Sequence, residues 1–97
     1  MHIGVCRVFL RLPGNRSLKE KRRITRSVID RVRSRFNVAI AEVEDNELWQ
    51  RLTIGISCVS NDRGHANQML STVVRYIEDT TRDAELLDYE VEMVPGV

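Results

Sequence analysis

The side chains with the most chemistry to offer in this sequence are cationic and crowded together. Arg16, Lys19, Lys21, Arg22, Arg23, Arg26 and Arg33 follow one another closely. Guanidinium groups present rigid forks of donors that match phosphate or carboxylate oxygens. Such a run therefore points either to a polyanionic partner or to pairing with acids of the same chain. It opens with Ser17-Leu18-Lys19-Glu20, a capping box in which the Ser17 hydroxyl takes the amide of Glu20 and the Glu20 carboxylate reaches back to Ser17. The spacing predicts a helix from there to about Arg35. On a wheel of about 100° per residue with Leu18 at zero, Lys19, Arg22, Arg23, Arg26 and Arg33 occupy an arc from about 40° to 140°. Leu18, Ile24, Val28, Ile29, Val32 and Phe36 form the apolar arc beside it, and only Asp30 interrupts the cations. Asp30 is expected to pair with Arg26 and Arg33, at a few tenths of a kcal/mol each. Lys21 falls inside the apolar arc, so its stem is expected to pack and its ammonium to extend to solvent.

A solvated helix face is the bland explanation of this stripe, and the helix dipole counts against it. Lys19, Lys21, Arg22 and Arg23 crowd the first two turns, where free amides already make the helix end positive. Each misplaced exposed cation costs about 0.3–1 kcal/mol, and only Glu20 offsets them. An anion bound there would meet free amides, the dipole and several cations at once. Phosphates of RNA are the natural candidate, with Arg16 and the Ser17 helix start assisting Lys19, Arg22, Arg23, Arg26 and Arg33.

Other chemistry is thinly written. Arg11-Leu12-Pro13-Gly14-Asn15-Arg16 places two arginines around a turn whose amides would form a small anion nest. An arginine loop with an asparagine is similar to acylphosphatases, but their Gly-x-Val-x-Gly-Val-x-Phe-Arg loop is absent. An acylphosphatase-like hydrolase is therefore one alternative among three. His2 and His65 lack a second ligand nearby in sequence, so neither a metal nor any other cofactor is expected. Glu42, Glu44, Asp45 and Glu47 read as a soluble hairpin tip. Trp49 has outward parity near that hairpin and is expected to cover the edge of the core.

The elements that must position these groups are legible. The chain has 97 residues, 42% apolar and 30% charged, which suits one globular domain over residues 1–97. Its net charge of +1 excludes a histone-like polycation, and two cysteines exclude a disulfide scaffold. The balance hides an asymmetry, however: residues 1–35 carry a net of +9 and residues 36–97 a net of −8. No apolar run approaches the length of a membrane span. Met1-His2-Ile3 leads straight into patterned sequence, so no signal peptide is expected and the expected compartment is the cytoplasm.

Alternation predicts strands over 2–12, 37–44, 48–60 and 85–94, with Leu48 and Leu87 on core faces. Asn61-Asp62 caps a second helix with the stripe Ala66, Met69, Leu70, Val73, Val74 and Ile77, followed by a loop over 80–83. The order βαββαβ implies an α+β, ferredoxin-like sandwich: a four-stranded antiparallel sheet of order 4-1-3-2 with two helices on one face. With strands 1 and 3 taken as parallel central neighbours, Cys6 and Cys58 are expected at opposite ends of the sheet, both as inert core residues. The open sheet face should carry Arg7, Phe9, Arg11, Ala39, Ala41, Arg51, Thr53, Gly55, Ser57, Glu90 and Glu92. Cross-strand pairing is expected of Arg7 and Arg11 with Glu90 and Glu92. The small residues of strand 3 disfavour base stacking across that sheet. They leave a flat surface suited to a sheet-to-sheet homodimer, as in ACT domains that bind small ligands.

Five segments carry a family resemblance: Ser17-Leu18-Lys19-Glu20-Lys21-Arg22-Arg23, Arg35-Phe36-Asn37-Val38, Ala41-Glu42-Val43, Leu48-Trp49-Gln50-Arg51 and Val59-Ser60-Asn61-Asp62. Together they resemble the YlxP-like family of small bacterial proteins, a domain of unknown function. The resemblance runs almost end to end. It implies a ferredoxin-like fold and, because genes of the family sit among translation genes near that of ribosome-binding factor A, a ribosome-related role. It implies no catalytic residues. The expectation is a non-catalytic cytoplasmic protein that binds ribosomal RNA or a ribosome-assembly factor through its first helix. The alternatives are an ACT-like homodimeric regulatory domain and the hydrolase.

Overall fold

In the computed structural model, which describes residues 1–97, the chain forms β1 (His2–Arg11), α1 (Leu18–Arg35), β2 (Ala39–Glu44), β3 (Arg51–Ser60), α2 (Arg63–Thr80) and β4 (Glu85–Pro95). The strands make one sheet in the order β2-β3-β1-β4 with every neighbouring pair antiparallel. Counted from the other edge this is 4-1-3-2, the ferredoxin-like arrangement that the element order implies.

Alternation builds the sheet's inner face. Cys6, Val8 and Leu10 of β1 lie beside Leu52, Ile54, Ile56 and Cys58 of β3, all buried. The helices supply Ile24, Val28 and Val32 from α1, and Ala66, Leu70, Val73, Val74 and Ile77 from α2. These residues belong to one cluster of 17 buried apolar side chains. At about 1.5–3 kcal/mol for each buried Leu, Ile or Val, this cluster is the main favourable term in the fold. Both helix starts are capped as the sequence reads: Ser17 Oγ accepts from the Glu20 amide at 3.1 Å, and Asp62 Oδ1 from the His65 amide at 3.2 Å. The second half of the α1 capping box does not form, because the Glu20 carboxylate turns to Arg23. No helix is long and apolar enough to cross a membrane.

Four expectations are corrected. First, β1 and β3 are antiparallel, not parallel, with Gly4 opposite Cys58 and Cys6 opposite Ile56. The two cysteines therefore sit at the same end of the sheet as diagonal neighbours. Both are free and buried, and burial pushes the Cys6 thiol up to about 11. Second, β3 begins at Arg51 rather than at residue 48, so Leu48 lies in the turn, 49% exposed. Third, β4 slips register against β1 between Phe9 and Leu10. Leu86 takes the inward place opposite Leu10, and Leu87 is exposed. Fourth, β2 shifts register between Glu42 and Glu44, leaving Val43 without a partner on β3. A residue inserted in this way reverses the facing of everything after it. Glu42, in phase with Ile40, faces the helices, and Glu44 after the slip reaches the open face.

Candidate nucleic-acid interface

The cationic stripe on α1 is present and largely unpaired. Arg16, Lys19, Arg22 and Arg26 are exposed, and none is bonded to a carboxylate. Ser17 is occupied as the helix cap. Arg23 is tied to Glu20 one turn back, a pair that draws the Glu20 carboxyl below its ordinary range, chiefly through the hydrogen bond from Arg23. Arg33 donates to the Ile40 carbonyl at 3.2 Å and so braces the end of α1 against β2. Asp30 pairs with neither Arg26 nor Arg33, contrary to expectation. Asp30 thus ties up neither arginine, and Lys19, Arg22 and Arg26 on α1, with Arg16 in the loop just before it, stay without a carboxylate partner.

Lys21 departs furthest from its sequence expectation. It is 1% exposed. Its ammonium does not extend to solvent but meets the Glu42 carboxylate at 3.0 Å and donates to the backbone carbonyl of Asp45. Glu42 is inward because it keeps the alternation of Ile40, opposite Ile54, before the irregularity at Val43. Asp45 holds a left-handed φ of 61° and accepts from the Thr53 hydroxyl at 2.9 Å through its carboxylate. These acids are therefore more than a solubilising tip: two of them fasten the β2–β3 turn to the first turns of α1.

A second set of bonds fastens the same turn to the β1–α1 loop. Asn15, itself buried, donates its amide to the carbonyls of Ser17 and Trp49. The Gln50 amide donates to the Asn15 carbonyl at 3.1 Å, and the Leu12 amide to the Gln50 carbonyl at 2.9 Å. Trp49 does not cover the core edge as expected. Its backbone is held at the loop and its ring is left out, the residue being 52% exposed. The Asn15 backbone amide bonds to the Leu12 carbonyl, so neither it nor the Asn15 side-chain amide is free to receive the anion that the hydrolase alternative needs.

The open sheet face is organised differently. Arg7 donates to Glu90 at 2.9 Å on β4 and to Glu44 on β2, spanning the sheet over β3. Gly55, opposite Arg7, leaves that passage open. Hydrogen bonds that Arg7 donates to Glu90 and then to Glu44 raise its pKa further above its ordinary value. Arg11 pairs with Glu85 at 3.2 Å, not with Glu92 as the alternation suggested. Around Arg7 lies a shallow trough of about 770 Å3 lined by Ala39, Ala41, Val43, Gly55 and Ser57 among others. No group of three or more His, Cys, Asp or Glu is placed to hold a metal ion.

Residues 3–91 match the family described as "Protein of unknown function (DUF503)". The chain belongs to this family. A relative, the uncharacterized protein YlxP of Bacillus subtilis (strain 168), is 39% identical over 62 residues, which span 64% of this chain and 67% of that protein. The DUF503 membership confirms the resemblance carried by the five sequence segments. It assigns no chemistry to the stripe, the trough or the turn.

Proposed function

We propose that this protein is a non-catalytic, cytoplasmic RNA-binding protein that receives a phosphate backbone on the exposed face of α1. Ribosomal RNA, free or within an assembling ribosomal particle, is the proposed partner. One observation carries this reading: Lys19, Arg22 and Arg26 stand on one face of α1 with no carboxylate partner, as does Arg16 in the loop just before it, at a helix start whose dipole opposes them. Charges left open at such a place are stabilised by an external anion that meets side chains and helix amides together. Arg23 and Arg33 lie beside the track and contribute field more than free donors.

The test is RNA binding as a function of salt. Neutralising about four phosphates of a single strand gives a log–log slope of roughly −3. Arg22→Gln with Arg26→Gln should halve that slope and weaken binding at low salt, while thermal stability holds. Binding that is unchanged in the double variant overturns the proposal. Co-sedimentation of the protein with ribosomal particles in a sucrose gradient tests the partner.

The trough supports a second reading from another class, a homodimer formed face to face over Ala39, Ala41, Gly55 and Ser57 with a small ligand between. Light scattering decides it, since a monomer at micromolar concentration removes that dimer.

A further inference from the structure

We infer that Trp49 is a stacking platform for an unpaired RNA base at the start of the α1 phosphate track; this inference rests on the reading above. The chain has five aromatic side chains, and three are already engaged. Phe9 lies under the Arg7 guanidinium, whose central carbon is 5.4 Å from the ring centroid. Phe36 and Tyr76 meet edge to face at 5.3 Å, and Arg35 lies over Tyr76. Tyr89 sits on β4, at the sheet edge opposite to β2. Trp49 alone combines an uncommitted ring with a place beside the cationic stripe: its carbonyl accepts the side-chain amide of Asn15, the residue immediately before Arg16.

The position is also fixed in advance. On one side of Trp49 the Leu48 amide bonds to the Asp45 carbonyl at 3.0 Å, and that same carbonyl receives Lys21. On the other side Gln50 is bonded to both Leu12 and Asn15. A ring carried on a turn pinned from both ends loses little freedom when it is covered, so more of the contact survives as affinity. Stacking accepts any base, because every base has a π-face. Phosphates of the same strand would then run along Arg16, Lys19, Arg22 and Arg26. A base already stacked within a duplex cannot reach the ring, so the arrangement favours single strands.

Trp49 is the only tryptophan in the chain, and its fluorescence reports this one ring. The experiment titrates the whole protein with a mixed-sequence RNA single strand and with the same strand annealed to its complement, following both intrinsic fluorescence and polarisation of labelled RNA. The expected result is quenching that saturates with binding of the single strand and is far smaller for the duplex. Trp49→Ala should weaken single-strand binding roughly 5- to 100-fold with the salt slope unchanged, and Trp49→Phe should restore most of it. RNA that binds with the slope expected of Arg22 and Arg26, without quenching and without a loss in Trp49→Ala, overturns the platform and leaves the phosphate reading standing. Absence of any salt-sensitive RNA binding overturns both.

Discussion

Two surfaces of this molecule use arginine in opposite ways. On the open sheet face Arg7 and Arg11 are tied to carboxylates of β2 and β4. On the outer face of α1, Lys19, Arg22 and Arg26 have none, nor does Arg16 just before the helix. The cause is topological. The strands rich in acid, β2 and β4, flank the central pair of the sheet, so their glutamates reach the arginines of β1. The outer face of α1 looks away from every one of them. The excess of positive charge in the first third of the sequence and of negative charge in the remainder therefore cancels on one side of the molecule only. The residue that crosses this division is Lys21, a cation of α1 drawn inward to an acid of β2.

The contrast between satisfied and open charges can be broken experimentally, beginning with its strongest element. Lys21→Met leaves the Glu42 carboxylate, whose side chain is only 17% exposed, without its partner. The expected loss is about 3 kcal/mol, the low end for a broken buried pair because water still reaches Glu42. For a chain of this size that lowers the thermal midpoint by roughly 12 °C or more. Adding Glu42→Leu should recover most of it, and calorimetry of the two variants checks the pair. Next in size, Arg7→Gln with Arg11→Gln should lower the thermal midpoint only slightly, because exposed ion pairs contribute little, and leave RNA affinity where it was. An equal effect of this double variant and of Arg22→Gln with Arg26→Gln on RNA would erase the distinction between the two faces. Lys19→Gln should do the reverse on stability, raising it by about 0.3–1 kcal/mol as the dipole is relieved, seen as a higher denaturant midpoint. The smallest effect belongs to Glu20. Its carboxyl is held below its ordinary value in the folded state, so the contribution of its pair with Arg23 is present at neutral pH and disappears as pH falls through that lowered value. An acid titration comparing Glu20→Gln with the parent should show their stabilities converging at the acid end.

Much of this was legible before any coordinates. The order of elements, the inner face of β1, the stripe of α2 and both N-caps follow from periods of two and 3.6 and from the residues at the ends of each run. The cationic arc of α1 was equally visible. What the sequence did not disclose depends on register and on contacts between distant elements. Strict alternation cannot anticipate the slips at Val43 and Leu87, so it puts Leu87 on the core face and gives no sign that Glu44 reaches across the open face to Arg7. A helical wheel places Lys21 among apolar residues but cannot show that Glu42 waits across from it on a neighbouring strand. Trp49 was misjudged because the β2–β3 turn runs longer than three residues and is claimed by Asn15, a bond between segments that no local pattern connects. The cysteines were misplaced by taking a parallel direction for a strand pair that runs antiparallel.

The unpaired Val43 carries one more consequence. It sits outside the counting frame of β2, since Glu42 and Glu44 keep their opposed orientations as though it were missing. Excising it should leave both glutamates with their present partners, whereas exchanging either glutamate for its neighbour would not. It also explains the bare Cα of Gly55: a methyl group there would come within 2.6 Å of a Val43 methyl. Substitution of Gly55 by alanine and loss of Val43 are thus mutually compensating, and shortening this strand should be gentler than thickening the one beside it.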